Sequence, residues 1–486
     1  MKKILCVLMV IVTLLCGCMN SPNKSIVISK ADGGFDEKMR ISSDIQHCQS
    51  ENQEQIYTGN FHSTDNSVEF VLDIDTTVKN CDMPVVEVVP HYLNEADAQR
   101  VAKALFGNKK CYEKKPILAE QFSKREIQNK LLRWTEYANN DSIRELFGQE
   151  SEFVLELIKD SIAYYTTELD AAPGDEINEE CQWTFKDEAY YTFSLEDIAS
   201  GEEMLGNNAI MATYEVGDVS YSYKVVTRNK SDYKLNMISV HLFGGTSPMG
   251  IDERIFTAHL CRTDEPTEEQ INSISQKAEK MLEKMDLGSW QINQCTVQTM
   301  YYGDQPEYIV HINATPLLCG VAAAQQPELY NLNSDSLYAS NYYMTNVSMN
   351  FSANGEILDF EMVSPIEIKE IINENVAVIE ISELMEIAKT HLMHSDFHAY
   401  GIENLEQAVD EGLNYTVKIK DLTYNLLRIR VPNTEDAYYY VPGIILEGYE
   451  ECTGKESNNL YYISSEPQVL IALNAIDGTI VELSNT

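Results

Sequence analysis

Cys18 is the residue whose type and setting most sharply define a chemistry. It ends the run Leu15-Cys16-Gly17-Cys18. Lys2 and Lys3 precede a nearly unbroken apolar stretch over residues 4–15, interrupted only by Thr13. A small residue, Gly17, then stands before the thiol. That order reads as a lipoprotein signal, cut between Gly17 and Cys18, with Cys18 carrying a thioether-linked diacylglycerol. The apolar run is shorter than the ~20 residues a spanning helix needs. Two acyl chains, at ~0.8 kcal/mol per buried methylene, hold a folded body at the membrane without one.

His391, His394 and His398, with Asp396 among them, are the candidate metal ligands. On a continuous helix the three imidazoles share one face, and neutral imidazole with carboxylate suits zinc. The competing reading is a helix C-terminus, where histidines complement the dipole and the last carbonyls. No His-Glu-x-x-His occurs. Asp73 and Asp75 point to one face of a strand, but the rest of a calcium loop is missing, so an acidic face is the better reading.

Other spacings imitate chemistry without its setting. Ser21-Pro22-Asn23-Lys24 has the Ser-x-x-Lys spacing of penicillin-binding enzymes, yet it falls in a polar tether beside the lipid. Gly244-Gly245-Thr246-Ser247-Pro248-Met249-Gly250 lacks the Gly-Lys-Ser/Thr of a phosphate loop and reads as a turn. Carboxylates are too numerous to single out a glycosidase pair. No catalytic residue is assigned, and no cofactor beyond the lipid on Cys18.

Charge narrows the partners. The 486 residues carry a formal charge of −40; loss of Lys2 and Lys3 with the signal takes this to −42. Such a surface repels nucleic acid and anionic headgroups. The acids are scattered, which describes a solvated acidic surface. Cys48, Cys81, Cys111, Cys181, Cys261, Cys295, Cys319 and Cys452 remain after Cys18. Their even number and an exported setting permit disulfides, but no close spacing suggests a framework. Cys295 and Cys319 sit in apolar strand contexts, and mostly reduced thiols are expected. Tyr301-Tyr302, Tyr342-Tyr343, Tyr438-Tyr439-Tyr440 and Tyr461-Tyr462 lie on or beside strands, where alternation sends neighbours to opposite faces. Outward tyrosines suit glycan or peptide contact; a half-buried sheet former is the plainer reading.

These residues need elements to position them. Residues 18–56 form a polar tether. An N-terminal α+β domain follows over 57–265. It begins with strands at 68–75 and 85–89. Asn94 caps a helix using Ala98, Val101, Ala102 and Leu105, and Gly107 stops it. Ser123 opens a second helix, with Ile127, Leu131, Trp134 and Ala138. Phe153, Leu157, Ile158, Ile162 and Tyr165 outline a third, ended by Pro173-Gly174. Strands occupy 210–243.

The C-terminal region, 266–486, shows one pattern twice, over about 266–366 and 367–486. In the first copy Thr267 and Gln270 form a capping box, and Ile271, Ile274, Ala278, Met281, Leu282 and Met285 share a helix face up to Gly288. Strands follow at 291–302, 308–313 and 344–351. Asn354-Gly355 leads into 357–363 as a type I′ hairpin. In the second copy Ser382 caps a helix with Leu384, Met385, Ala388 and Leu392. Strands follow at 415–419, 426–431, 438–446 and 469–473, and Asp477-Gly478 turns into 480–483. The fold class is therefore α+β, with mainly antiparallel sheets, packed helices and two helix-plus-sheet units in the C-terminal half.

Several segments resemble a family of uncharacterised lipoproteins from clostridial-type Gram-positive bacteria, a domain-of-unknown-function family. They are the signal ending at Cys18, Pro84-Val85-Val86-Glu87-Val88 and the helix after Asn94. Thr423-Tyr424-Asn425-Leu426-Leu427-Arg428-Ile429-Arg430-Val431-Pro432-Asn433, Val441-Pro442 and Asn474-Ala475-Ile476-Asp477-Gly478 complete the set. Family members carry an aromatic soon after Val-Pro, where this chain has Gly443 and Ile444. The C-terminal pattern is also similar to PepSY-type modules and to the extracytoplasmic regulators YycH and YycI. The resemblance implies a surface lipoprotein and brings no catalytic residues.

The sequence thus predicts a lipid-anchored extracytoplasmic protein, non-enzymatic, that binds or regulates. The membrane is met through the anchor, and a membrane protein, a wall component or a peptide is the partner. Two alternatives stand beside it. One is a cell-envelope hydrolase built from distant carboxylates; the other is a transporter's solute-binding receptor.

Overall fold

The computed structural model describes residues 35–44, 51–113, 124–139, 151–172, 180–187, 208–216, 219–227, 236–242, 261, 264–301, 306–324, 345–394, 413–431, 434, 437–454, 460–463 and 467–481. Gly17, Cys18, Ser21, Lys24, the 244–250 glycine-rich segment, Tyr342-Tyr343, Asp396 and His398 lie outside them.

The helices are α1 (Phe35–Lys38), α2 (Glu95–Phe106), α3 (Lys124–Ala138), α4 (Ser151–Glu168), α5 (Glu268–Met285) and α6 (Ile381–His394). The strands are β1 (Glu51–His62), β2 (Val68–Asn80), β3 (Val85–Pro90), β4 (Cys111–Glu113), β5 (Lys186–Asp187), β6 (Asn208–Val216), β7 (Val219–Thr227), β8 (Asn236–Leu242) and β9 (Trp290–Tyr301). They continue as β10 (Pro306–Leu318), β11 (Val321–Ala322), β12 (Asn346–Ser352), β13 (Ile357–Val363), β14 (Ile366–Asn373), β15 (Leu413–Arg430), β16 (Tyr438–Gly454), β17 (Leu460–Ile463) and β18 (Gln468–Asn474). The protein is α+β with mostly antiparallel sheets.

The chain divides into two compact units. One takes Met1–Glu87, Glu370–Arg430 and Tyr439–Glu482; the other takes Val88–Lys369, Val431–Tyr438 and Leu483–Thr486. An eight-stranded sheet runs β1-β2-β15-β16-β3-β14, with β17 and β18 also on β16. Within it β2 and β15 pair in parallel, Phe70 beside Val417. Phe70, Ile74, Val417, Ile419, Ile444 and Leu473 form a core that α6 covers with Leu384, Met385, Ala388 and Leu392.

The ten-stranded sheet runs β11-β10-β12-β13-β8-β7-β6-β4, with β5 on β6 and β9 on β10. Its strands alternate over most of their length, with bulges at Asn313/Ala314 and Asn350/Phe351, so one face is apolar. Tyr223, Val240, Phe360, Met349 and Ile312 form one apolar row, each directly opposite the next. Helices α2 and α5 cover this face with Ala98, Val101, Ala102, Ile274, Ala278, Met281, Leu282 and Met285. Local chemistry starts both helices where the sequence predicts. The Asn94 side chain accepts from Ala96 and Asp97 N–H groups, and Thr267 and Gln270 close a reciprocal box. Gly107, at φ 67°, ends α2; Asp286, at φ 51°, takes the left-handed position after α5, two residues before Gly288.

Several local expectations are corrected. Ser382 lies inside α6, whose first amides bond to the Glu380 carbonyl. Residues 415–419 and 426–431 are parts of one long strand, β15. Tyr438, Tyr439 and Tyr440 are all buried, because β16 is covered on both faces over that stretch. On α4 Leu157, Ile158, Ile162 and Tyr165 pack inward as expected, joined by Val154 and Leu155, while Phe153 faces solvent. The Asn354-Gly355 turn is not type I′. Gly355 alone has positive φ, and Ser352 bonds to both Gly355 and Glu356, the pattern of a type I turn with a glycine bulge. The two-residue type I′ geometry occurs at Cys319-Gly320, where both φ are positive between Leu318 and Val321. Cys319 is therefore an exposed turn residue and no small hydrophobe in a strand.

Candidate functional site

The face of the ten-stranded sheet opposite its core carries a second row. Ser222 on β7, His241 on β8, Asp359 on β13, Asn350 on β12, His311 on β10 and Thr296 on β9 stand directly opposite one another in that order. Each is the polar member between two inward residues of its strand, so the pleat that buries Val240 and Phe360 presents His241 and Asp359.

The middle of the row is hydrogen bonded. His311 Nδ1 lies 2.8 Å from Asn350 Oδ1. Asn350 Nδ2 donates to Asp359 Oδ2 at 3.4 Å, and His241 Nδ1 lies 3.2 Å from Asp359 Oδ1. The carboxylate and the amide oxygen can only accept, so both imidazoles carry their proton on Nδ1. Protonation then changes Nε2 of each ring from acceptor to donor. Adjacent strands lie ~4.8 Å apart, so His241 and His311, three strands apart, are separated by roughly 14 Å along the row. In the neighbouring row Asn313 donates to Gln294 Oε1 at 2.8 Å. The side chains of His241 and Asp359 are 54% and 39% exposed.

On the core face the Tyr221 phenol is pushed up to about 12, by burial first and then by Glu356 and Asp359. Its hydroxyl donates to the Ile357 carbonyl at 2.9 Å, which suits a group held neutral.

A second polar cluster secures the start of α2. Asp97, nearly fully buried, accepts from the Asn94 amide, from Arg100 and from His91, at 3.1, 2.6 and 2.9 Å. Glu367 lies 3.5 Å from the other His91 ring nitrogen. Arg100 also donates to the Met285 carbonyl, joining α2 to the end of α5. Asn236 accepts from the Leu93 amide and donates to the His91 carbonyl. Asp97 closes the Asn94 capping box and Arg100 ties α2 to the end of α5, so the cluster positions the helix.

Of the candidate ligands, His391 and His394 are among the described residues. His391 and His394 occupy the last turn of α6. His394 Nδ1 donates to the Thr390 carbonyl at 2.7 Å, and burial, then His394, holds His391 below its ordinary value. Asp73 forms an ion pair with Lys420 of β15. Among the described residues no three His, Cys, Asp or Glu side chains group as metal ligands. The polar row escaped the sequence reading. Alternation does assign each member to the outward face, but only the register between strands brings them into line.

No protein-family model and no curated protein matches the chain. It is similar to a solved structure of an uncharacterized protein from Eubacterium rectale, at 10% identity and a TM-score of 0.42, over 92% of this chain and 97% of that one. It is also similar to the Bacillus megaterium YpeB C-terminal domain, at 11% identity and a TM-score of 0.22, over 54% of this chain and 85% of that one. Among the described residues no helix is long and apolar enough to cross a membrane.

Proposed function

We propose that this chain is a non-enzymatic binding or regulatory module, held on the extracytoplasmic face of the cell membrane by a lipid on Cys18. The polar row from Ser222 to Thr296, hydrogen bonded from His241 to His311, is the surface it offers. The observation that supports this reading is the row itself: six polar side chains in register, two of them imidazoles, on the outward face of a sheet whose other face is fully packed. A row of alternating donors and acceptors suits an extended, uncharged, hydroxyl- or amide-rich ligand, as in a wall glycan or a peptide. The acidic surface disfavours anionic polymers. The expected tether of residues 18–56 is shorter, because Met39 is buried and β1 begins at Glu51; the residues before α1, at no more than ~3.3–3.6 Å per residue, set the distance from the bilayer at which the ligand is met.

The test is a photo-crosslinking side chain placed at Thr296 or Ser222 in the full-length chain on living cells. Light-dependent adducts to wall material or to a membrane protein are expected from both positions, and none from Ile56 on the other sheet. Absence of adducts at both row positions, or turnover of peptidoglycan, peptide or glycan substrates at enzymic rates by purified protein, overturns the reading.

A further inference from the structure

Cys111 opens β4, and the chain leaves the ten-stranded sheet just after it. The excursion contains α3 and α4, which pack on each other through Ile127, Trp134, Val154, Leu155, Ile158 and Tyr165 as a small core of their own. The chain returns at Glu180, which bridges Tyr112 in antiparallel fashion. The next pair is Cys111 and Cys181, with the Cys181 amide donating to the Cys111 carbonyl at 3.0 Å. The two cysteines are thus directly cross-strand, a placement that sets Cα atoms ~5.5 Å apart, inside the ~4.4–6.8 Å that a disulfide requires. Both side chains are buried in one core cluster, and their thiols are hydrogen bonded to each other.

From this juxtaposition we infer that Cys111 and Cys181 are oxidised to a disulfide that closes the base of the α3–α4 excursion. The bond ties off a loop of about 70 residues, a length at which cross-linking restricts the unfolded chain strongly. An ion pair between Lys186 and Glu113 fastens the same base.

The surroundings divide the two sulfurs chemically. Cys181 accepts from Cys111 and from the Trp183 amide, which holds its thiol below the ordinary value. Cys111 is pushed up, by its bond to Cys181 first and by burial next. When the two thiols meet before packing, one of them, here Cys181, attacks as the thiolate. It displaces one thiolate from a small or protein disulfide donor, forming a mixed disulfide. The Cys111 sulfur, losing its proton, then attacks the Cys181 sulfur and releases the second thiolate. The donor is reduced by two electrons to two thiols, which take up the two protons, and the pair is oxidised by two. Burial of both sulfurs places this step before the core closes. The oxidising compartment follows from the proposed export.

The test uses full-length protein from the native envelope, acid-quenched, unfolded and alkylated without reductant. Peptide mapping is expected to show Cys111 and Cys181 unalkylated and joined, two hydrogens lighter than the separate peptides, while Cys261 and Cys452 are alkylated. Full alkylation of Cys111 and Cys181 overturns the inference. As a second reading, reductant is expected to lower the urea midpoint of the parent chain and to leave that of the Cys111→Ala/Cys181→Ala variant unchanged. A parent midpoint indifferent to reductant overturns it equally. Lipid labelling of the same sample reports Cys18 separately, so failure of the anchor and failure of the disulfide are distinguishable.

Discussion

His311 and Asn350 face each other across β10 and β12, with the imidazole Nδ1 2.8 Å from the amide oxygen. That contact joins the outer imidazole to the Asn350–Asp359–His241 chain. Replacing Asn350 with Ala cuts the row in two. Cross-strand pairs contribute about 0.2–1 kcal/mol, so urea denaturation is expected to show a loss of that size. Crosslinking from Thr296 is expected to fall far more than stability does. Equal losses in both would make the row structural.

Asn236 presents a different balance. Its buried amide accepts from the Leu93 N–H and donates to the His91 carbonyl. Asn236→Ala strands one backbone donor and one acceptor, each at about 1–3 kcal/mol. A destabilisation of roughly 2–4 kcal/mol is expected, readable as a lower urea midpoint at unchanged slope.

Gly448 lies where β16 passes β15. A Cβ there would press on the Lys418 carbonyl oxygen, and backbone cannot step aside as a side chain does. Gly448→Ala is expected to cost about 1–3 kcal/mol by overpacking. Thermal melting checks it; a neutral result would mean that the two strands separate more easily than their pairing implies.

Asp65 supplies a pH signature. Its carboxylate accepts from the Ser63 hydroxyl first, and then from the Ser67 amide and hydroxyl, in the β1–β2 turn, which holds it below its ordinary value of 3.8. A depressed folded value means that the unfolded state binds the proton more readily. The contribution is complete above pH 3.8 and fades as pH falls through the folded value. The stability difference between parent and Asp65→Asn is expected to shrink over that acid window; denaturation midpoints at a series of pH values would show it.

Cys18→Ser is expected to leave the precursor without lipid. Metabolic labelling with a fatty-acid probe reads this directly, and a labelled variant would sink the assignment.

Features set within a few residues were legible from sequence. Asn94 and Thr267 start helices because a side-chain oxygen reaches amides two or three residues on, a reach the order of residues already contains. Where competing local signals were balanced, reading failed. Ser382 resembles a cap, yet α6 begins at Ile381, and residues 420–425 resemble a break, yet β15 runs through them with Leu422 buried. In both places, packing against the sheet core overrides local preference.

The sequence by itself determined the chain's α+β class, the helix starts after Asn94 and Thr267 and the outward or inward sense of most residues in the ten-stranded sheet, because these follow from capping chemistry and from periods of 3.6 and 2. Only the tertiary structure decided which strands are neighbours and in what register. Phe70 pairs beside Val417, His241 beside Asp359 and Cys111 across from Cys181 because burying two whole sheet faces selects one alignment among many. No local segment contains that selection, and the polar row and the thiol pair are both products of it.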